Sequence, residues 1–188
     1  MRLFAAIDLN DEVRTAIAAE QKHIAAEFGH ADRSSLKWVQ PAQMHLTLVF
    51  LGEIAAAAVP PIVDAVSASL KVAPFTVAFE RLGVFPPHGA PRVLWLGVSE
   101  GASQVADVQR QVARRLEQAG VALERRPFHP HLTLGRWRSS RPGDARRALE
   151  ADRRAIVARL PVDAVTLYQS RLGPGGATHT ALARATLT

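Results

Sequence analysis

A chain of 188 residues, 48% of them hydrophobic, is long enough to bury a core and too apolar to be disordered. It holds no cysteine, which excludes disulfides and thiolate metal sites and suits a reducing cytoplasm. The net charge of +6 is unevenly placed: residues 1–94 carry 8 basic and 9 acidic side chains (8 − 9 = −1), and residues 95–188 carry 15 and 8 (15 − 8 = +7).

In chain order, residues 3–9 read as a strand. They start without the basic region and apolar run of a secretion signal, so none is expected. Asn10 or Asp11 is placed to cap a helix with apolar positions at Val13, Ile17, Ile24 and Ala25, ending near Phe28-Gly29. A short strand at 36–39 is broken by Pro41, and a strand at 45–51 is stopped by Gly52. Residues 54–63 are the longest apolar stretch; it is too short to span a bilayer and contains prolines. Pro60 and Pro61 suit the first turn of a helix running to about Leu70. Residues 75–85 are extended, 86–91 form a loop and 93–98 form a strand. A helix is expected over 102–119 with Gly120 as its stop, then an extended 121–123 and a strand at 131–137. An arginine-rich helix over 144–159 follows. Strands at 161–172 and 180–187 are joined by a glycine-rich turn at 173–176, which lacks the lysine and helix of a nucleotide-binding loop. Most strands are joined by short turns, which predicts an α+β fold with antiparallel sheets.

One phrase occurs twice. His45-Leu46-Thr47-Leu48 returns as His131-Leu132-Thr133-Leu134, 131 − 45 = 86 positions later. Both copies alternate polar and apolar residues as a half-buried strand does, so each presents an imidazole and a hydroxyl on one face. A single His-x-Thr is ordinarily a strand histidine with a satisfied ring. Two copies facing each other suit in-line cleavage of a phosphodiester. One neutral histidine takes a proton from water, one charged histidine gives a proton to the leaving oxygen, and the hydroxyls hold the non-bridging oxygens. One motif in each half predicts two pseudo-twofold-related lobes, each an antiparallel sheet with flanking helices, and an active-site cleft between them. No linker interrupts the chain, so residues 1–188 read as a single two-lobed domain.

The flanks of the two phrases carry a resemblance. Arg2-Leu3-Phe4-Ala5-Ala6-Ile7-Asp8-Leu9, the run from Trp38 to Glu53, Gly83-Val84-Phe85-Pro86, Pro91 to Gly97, Pro127 to Arg136 and Leu167 to Gly176 together resemble the 2H phosphoesterases. Within them the chain is similar to the RNA 2′,3′-cyclic phosphodiesterases, also described as 2′-5′ RNA ligases. The resemblance implies the same two-lobed architecture and opening of an RNA 2′,3′-cyclic phosphate to the 2′-phosphomonoester, with the 3′-oxygen leaving. It implies His45 as general acid and His131 as general base, roles that equivalent motifs do not separate on their own. Thr47 and Thr133 would bind the phosphate oxygens, with Arg136 as a further candidate. No cofactor or metal is expected. The expected partner is RNA with a cyclic phosphate end or a cyclic nucleotide, acted on by a monomer without membrane contact. Three alternatives stay open: a 2′-5′ RNA ligase, a phosphodiesterase for small cyclic nucleotides, and a non-catalytic RNA-binding module of the same fold.

Other residues are weighed on local grounds. His129 and His131 have the spacing of two zinc ligands on a strand, but no carboxylate or cysteine stands near them in sequence, so His129 is placed at the rim of the site. Strict alternation puts Arg136 opposite His131 and Thr133, unless a bulge at Gly135 turns it toward phosphate instead of a structural salt bridge. The same alternation puts Val49 on the motif face, where many relatives carry lysine, and Phe50 in the core. Trp38, Trp95, Trp137, Phe85 and Tyr168 either stack a base at the cleft or pack internally. His23, His30, His88 and His179 have no motif around them and are assigned no catalytic role. All 15 basic residues after position 94 are arginines, either steering a polyanion or forming solvated helix faces.

Overall fold

The computed structural model describes residues 1–28, 35–124, 126–173 and 176–188. Strand β1 (Arg2–Asp8) leads to helix α1 (Asp11–Glu27), which starts where the Asn10 side chain accepts from the Val13 amide at 2.9 Å. After β2 (Leu36–Trp38), Pro41 opens one turn of 3-10 helix, and β3 (His45–Glu53) follows. Helix α2 (Val59–Ser67) precedes β4 (Phe75–Phe85) and β5 (Val93–Val98). Helix α3 (Ala102–Gln118) ends before Gly120, whose φ of 86° is the left-handed conformation that glycine adopts freely. Then come β6 (His131–Trp137), α4 (Pro142–Glu150), β7 (Ala158–Val162), β8 (Ala164–Gly173) and β9 (Gly176–Thr186).

The strands form two antiparallel sheets. The first has the order β3-β1-β8-β9 and the second β2-β6-β5-β4-β7. The fold is therefore α+β, but its lobes are not the two halves of the chain. β2 crosses from the first half to pair with β6, while β8 returns from the second half to pair with β1 and carries β9 on its other edge. The helices are exchanged in the same way. α2 packs on β9 and α3 on β3, while α1 meets β7 and α4 meets β4. One apolar cluster, from Leu3 and Ile7 through Phe79 and Leu116 to Leu167, joins the lobes. β3 and β6 lie against each other where the sheets meet, which brings the repeated phrases to one place.

Several expected boundaries move. β3 does not stop at Gly52 but runs to Glu53, because glycine takes a φ of 74° without leaving the ladder. α2 ends at Ser67, and Leu70 instead bridges to Leu187. Residues 121–123 form no strand. The arginine-rich helix is much shorter than its periodicity predicts. It ends at Glu150, Arg154 has a φ of 51°, and Ala158 and Arg159 pair with Phe79 and Ala78. The strand expected over 161–172 is two strands in different sheets, parted at Asp163. Gly29, His30 and the centre of the turn at 173–176 lie outside the described residues. Among the described residues, no helix is long and apolar enough to cross a membrane.

Candidate active site

The two motif strands share one burial pattern. In β3, His45 and Thr47 are half-buried, Leu46, Leu48 and Val49 are buried, Phe50 is exposed and Leu51 is buried. In β6, His131 and Thr133 are half-buried, Leu132, Leu134 and Gly135 are buried, Arg136 is exposed and Trp137 is buried. Strict alternation fails at the same place in both because each strand carries a bulge. Ala5 pairs with Val49 but Ala6 pairs with Thr47, so Leu48 is the extra residue. Leu94 pairs with Gly135 but Trp95 pairs with Thr133, so Leu134 is the extra residue. The Leu134 carbonyl is satisfied away from β5, accepting from the Val39 amide and from the Gln21 side chain of α1, each at 2.9 Å. Gly135 suits the crowding there, since a Cβ would stand 2.9 Å from Leu36.

The bulges correct two expectations. Val49 is not on the motif face; it is a core residue, 7% exposed. Phe50 is not packing; it is 61% exposed and turned to the side of His45 and Thr47. Arg136 is turned to the side of His131 and Thr133, and its charge lowers the pKa of His131. The position five residues after each motif histidine thus offers a free aromatic ring on one side and a guanidinium on the other.

The His45 imidazole sits in an aromatic nest on the first sheet. Phe4 lies 5.5 Å away, Tyr168 5.1 Å and His179 4.9 Å, all edge-on between ring centroids. Asp8, its partner across the β1–β3 ladder, accepts from the Thr166 hydroxyl at 2.7 Å and the Tyr168 hydroxyl at 2.6 Å. Burial pushes the His45 pKa down to about 4, with the neighbouring His179 and Arg14 acting in the same direction. The Asp8 charge and a backbone hydrogen bond to Gln43 oppose that shift. Arg14 also fixes the turn before β3, donating to the Leu9 and Pro41 carbonyls at 3.0 and 2.5 Å. Burial and the Asp8 contact push the Tyr168 hydroxyl up to about 12, so it remains a donor.

The His131 imidazole meets a different set of neighbours. Phe85 stands edge-on at 5.0 Å, Trp95 at 6.0 Å, and the His129 ring is stacked at 6.4 Å. Trp95 lies flat over Gly83, where any Cβ would stand 2.1 Å from the indole. The Nδ1 of His131 is 2.7 Å from the His129 carbonyl, which can only accept, so Nδ1 carries the proton and Nε2 faces away. Burial is the largest cause of the lowered His131 pKa; the nearby His129 and Arg136 add to it and the His129 carbonyl opposes it.

Several site neighbours were hidden in the sequence. His179 has no motif, yet its ring touches His45 and Phe4. Asp8 looks like the end of a strand, and only the β1–β3 register sets it across from His45. Of the candidate stacking rings, Trp137 is buried, while Phe85, Trp95 and Tyr168 surround the motif histidines. His129 is exposed beside Trp95 and Phe85, at the edge of this group. Among the described residues, no group of three or more His, Cys, Asp or Glu is arranged to hold a metal ion.

Known proteins resemble this chain in sequence and fold. The model of the 2′-5′ RNA ligase superfamily matches residues 6–174. The chain is 33% identical over 142 residues to the RNA 2′,3′-cyclic phosphodiesterase of Archaeoglobus fulgidus, covering 76% of each chain. It is 31% identical over 182 residues to that of Methanothermobacter thermautotrophicus, covering 96% of this chain and 95% of the other. Among solved structures, TT0787 of Thermus thermophilus superposes with a TM-score of 0.74 at 32% identity, over 99% of this chain and 97% of that one. Escherichia coli LigT complexed with 3′-AMP superposes with a TM-score of 0.73 at 28% identity, over 100% and 98%.

Proposed function

The chain belongs to the 2′-5′ RNA ligase superfamily, and from that premise we infer that it is a cyclic phosphodiesterase which opens RNA 2′,3′-cyclic phosphate ends to 2′-phosphomonoesters. The observation that supports this most is the identical fold of the two motif strands, which turns a histidine, a threonine and the fifth residue to one side in each. His131 is the general base: its Nδ1 is committed to a carbonyl, leaving the Nε2 lone pair for water. His45 is the general acid: Asp8, the carboxylate across the ladder, favours its charged form. In the free site burial keeps His45 uncharged near neutral pH. The anionic cyclic phosphate reverses this, so substrate binding draws in the proton that catalysis needs.

The step balances. The water oxygen attacks phosphorus and its proton passes to His131 Nε2. The bond from phosphorus to the 3′-oxygen breaks, and that oxygen takes the His45 proton. Thr47 and Thr133 donate to the non-bridging oxygens and Arg136 meets their charge. Phe50 offers its exposed ring to the terminal base. Apart from the attacking water, every group proposed for the step is a side chain of the protein, and the proposed mechanism is metal-independent. The whole chain acts as a single two-lobed domain, as a monomer, in the cytoplasm.

An RNA bearing a 2′,3′-cyclic end, incubated in excess chelator, should yield the 2′-phosphomonoester. A 3′-phosphate product would reverse the leaving oxygen. Activity lost to chelator and restored by one divalent ion would overturn the metal-free step. Joining of the cyclic end to a 5′-hydroxyl RNA would favour the ligase, and RNA binding without turnover a binding module.

A further inference from the structure

On the His45 face of the first sheet the site does not end at Phe50. The Thr166 and Tyr168 hydroxyls both reach Asp8, so these alternate residues of β8 share the face of His45. Alternation carries that face on to Ser170 and Leu172. Residues directly opposed in an antiparallel ladder stand on the same face. Phe4 opposes Phe50 on β3 and Tyr168 on β8, forming one row. Arg2 and His179 both oppose Ser170, forming the next row, about 7 Å further along the strands. Leu172 and Ala177 oppose each other beyond it.

Leu172 is 76% exposed and Phe50 61%, more than any other large apolar side chain among the described residues. Both stand on this one face, with Arg2 in the row between them. The Arg2 side chain is exposed and enters no hydrogen bond or ion pair among the described residues. Glu53 opposes Arg2 on β3 in the same row, and its carboxylate is engaged by the N-terminal ammonium at 3.4 Å. Arg171 points to the opposite face of β8 by the same alternation. An apolar surface, a cation and a second apolar surface in file match the alternation of base, phosphate and base in a single strand.

We propose that Arg2, Ser170 and Leu172 form a second nucleotide subsite, which holds the internucleotide phosphate and the base immediately 5′ of the cyclic end. This rests on the cyclic-phosphate reading above and names its substrate class as an oligonucleotide. The cyclic phosphate occupies the 3′ end of an RNA, so the chain leaves the histidines only in the 5′ direction. A cyclic mononucleotide ends before the Arg2 row.

The test compares a cyclic mononucleotide with a dinucleotide ending in a 2′,3′-cyclic phosphate. Wild-type kcat/KM should favour the dinucleotide by about tenfold or more, the scale of one hydrogen bond to a charged group. Arg2→Gln and Leu172→Ser should each cut that preference about threefold or more, leaving mononucleotide turnover unchanged. Arg2→Gln should also flatten the salt dependence seen with the dinucleotide, since one phosphate contact is lost. Equal kcat/KM for both substrates in the wild type would overturn the subsite while leaving the hydrolytic reading intact. So would an unchanged preference in both variants. Hydrolysis of neither substrate would overturn the reading itself, and the subsite with it.

Discussion

The two motif strands are alike in sequence and bulge, but the pockets around their histidines differ in charge. His45 faces a carboxylate held by two hydroxyls, together with a third imidazole. His131 faces a backbone carbonyl, two aromatic rings, a guanidinium and the exposed His129. Repetition thus supplies equivalent scaffolds, and the strands paired beside them supply the difference. Both imidazoles have basic neighbours that favour the neutral form, and His45 alone of the two also has a carboxylate, Asp8, that favours its cation. On the proposed mechanism that difference suits His45 to the acid's part and His131 to the base's, and each variant below acts on one side of it.

The largest effects belong to the histidines. His45→Ala and His131→Ala should each lower turnover by about 10²–10⁴-fold with folding intact, the usual size of an acid–base contribution. Steady-state kinetics of both variants check this, and near-normal turnover in either would remove that ring from the reaction. Next come the hydroxyls. Thr47→Val and Thr133→Val keep the branched shape and remove a donor to charged oxygens. Each should lower kcat/KM by about 1.5–3 kcal/mol with little change in Tm. Kinetics and thermal unfolding on the same samples separate the roles: unchanged kinetics with lowered Tm would make the threonines structural.

The repeated phrase, its strand setting and the antiparallel α+β class were legible because they depend on local pattern. The bulges were not. Alternation puts Val49 and Phe50 on the wrong faces because it assumes an unbroken ladder, and only pairing with β1 shows Leu48 to be the extra residue. At Gly135 a bulge could be anticipated, since glycine marks such places, and Arg136 does turn to the motif side. The run from Ala151 to Arg159 continues a helical pattern in sequence, but the edge of β4 claims its end as β7. Asp8 and His179 were out of reach for the same reason: each is placed by a strand partner distant in sequence.

Removing the Asp8 charge tests the asymmetry directly. kcat/KM reports the free enzyme, where burial holds both motif histidines below their ordinary 6.5 and His45 at about 4. Its bell should therefore lie on the acid side of pH 6.5. The kcat bell should stand at higher pH, because the bound phosphate anion raises both groups. Asp8 raises His45, so Asp8→Asn should move the lower limb of kcat/KM further down and reduce the rate at neutral pH about tenfold, the equivalent of one pKa unit. A limb moved down with no loss of rate at neutral pH would reverse the assignment of acid and base, since a base already deprotonated there would not feel the change.

The smallest effect is expected from Tyr168→Phe, and it separates support from contact. The hydroxyl donates to Asp8 at 2.6 Å, while the ring stacks on Phe4 at 5.3 Å and stands 5.1 Å from His45. Phenylalanine keeps the ring and removes only the donor. Asp8 then retains the Thr166 hydroxyl and its charge. With its pKa near 12 the hydroxyl does not titrate in the working range, so its loss should reshape no limb of the pH profile. The expected cost in kcat/KM is about 0.5–1.5 kcal/mol, the net value of one ordinary hydrogen bond. That is less than the Asp8→Asn loss if the hydroxyl works by holding Asp8. In the double variant Asp8→Asn/Tyr168→Phe, the Tyr168 effect should then largely vanish, since the carboxylate it donates to has changed. Full additivity of the two losses would instead mean that the hydroxyl meets the substrate itself, and the His45 side would gain a second direct donor.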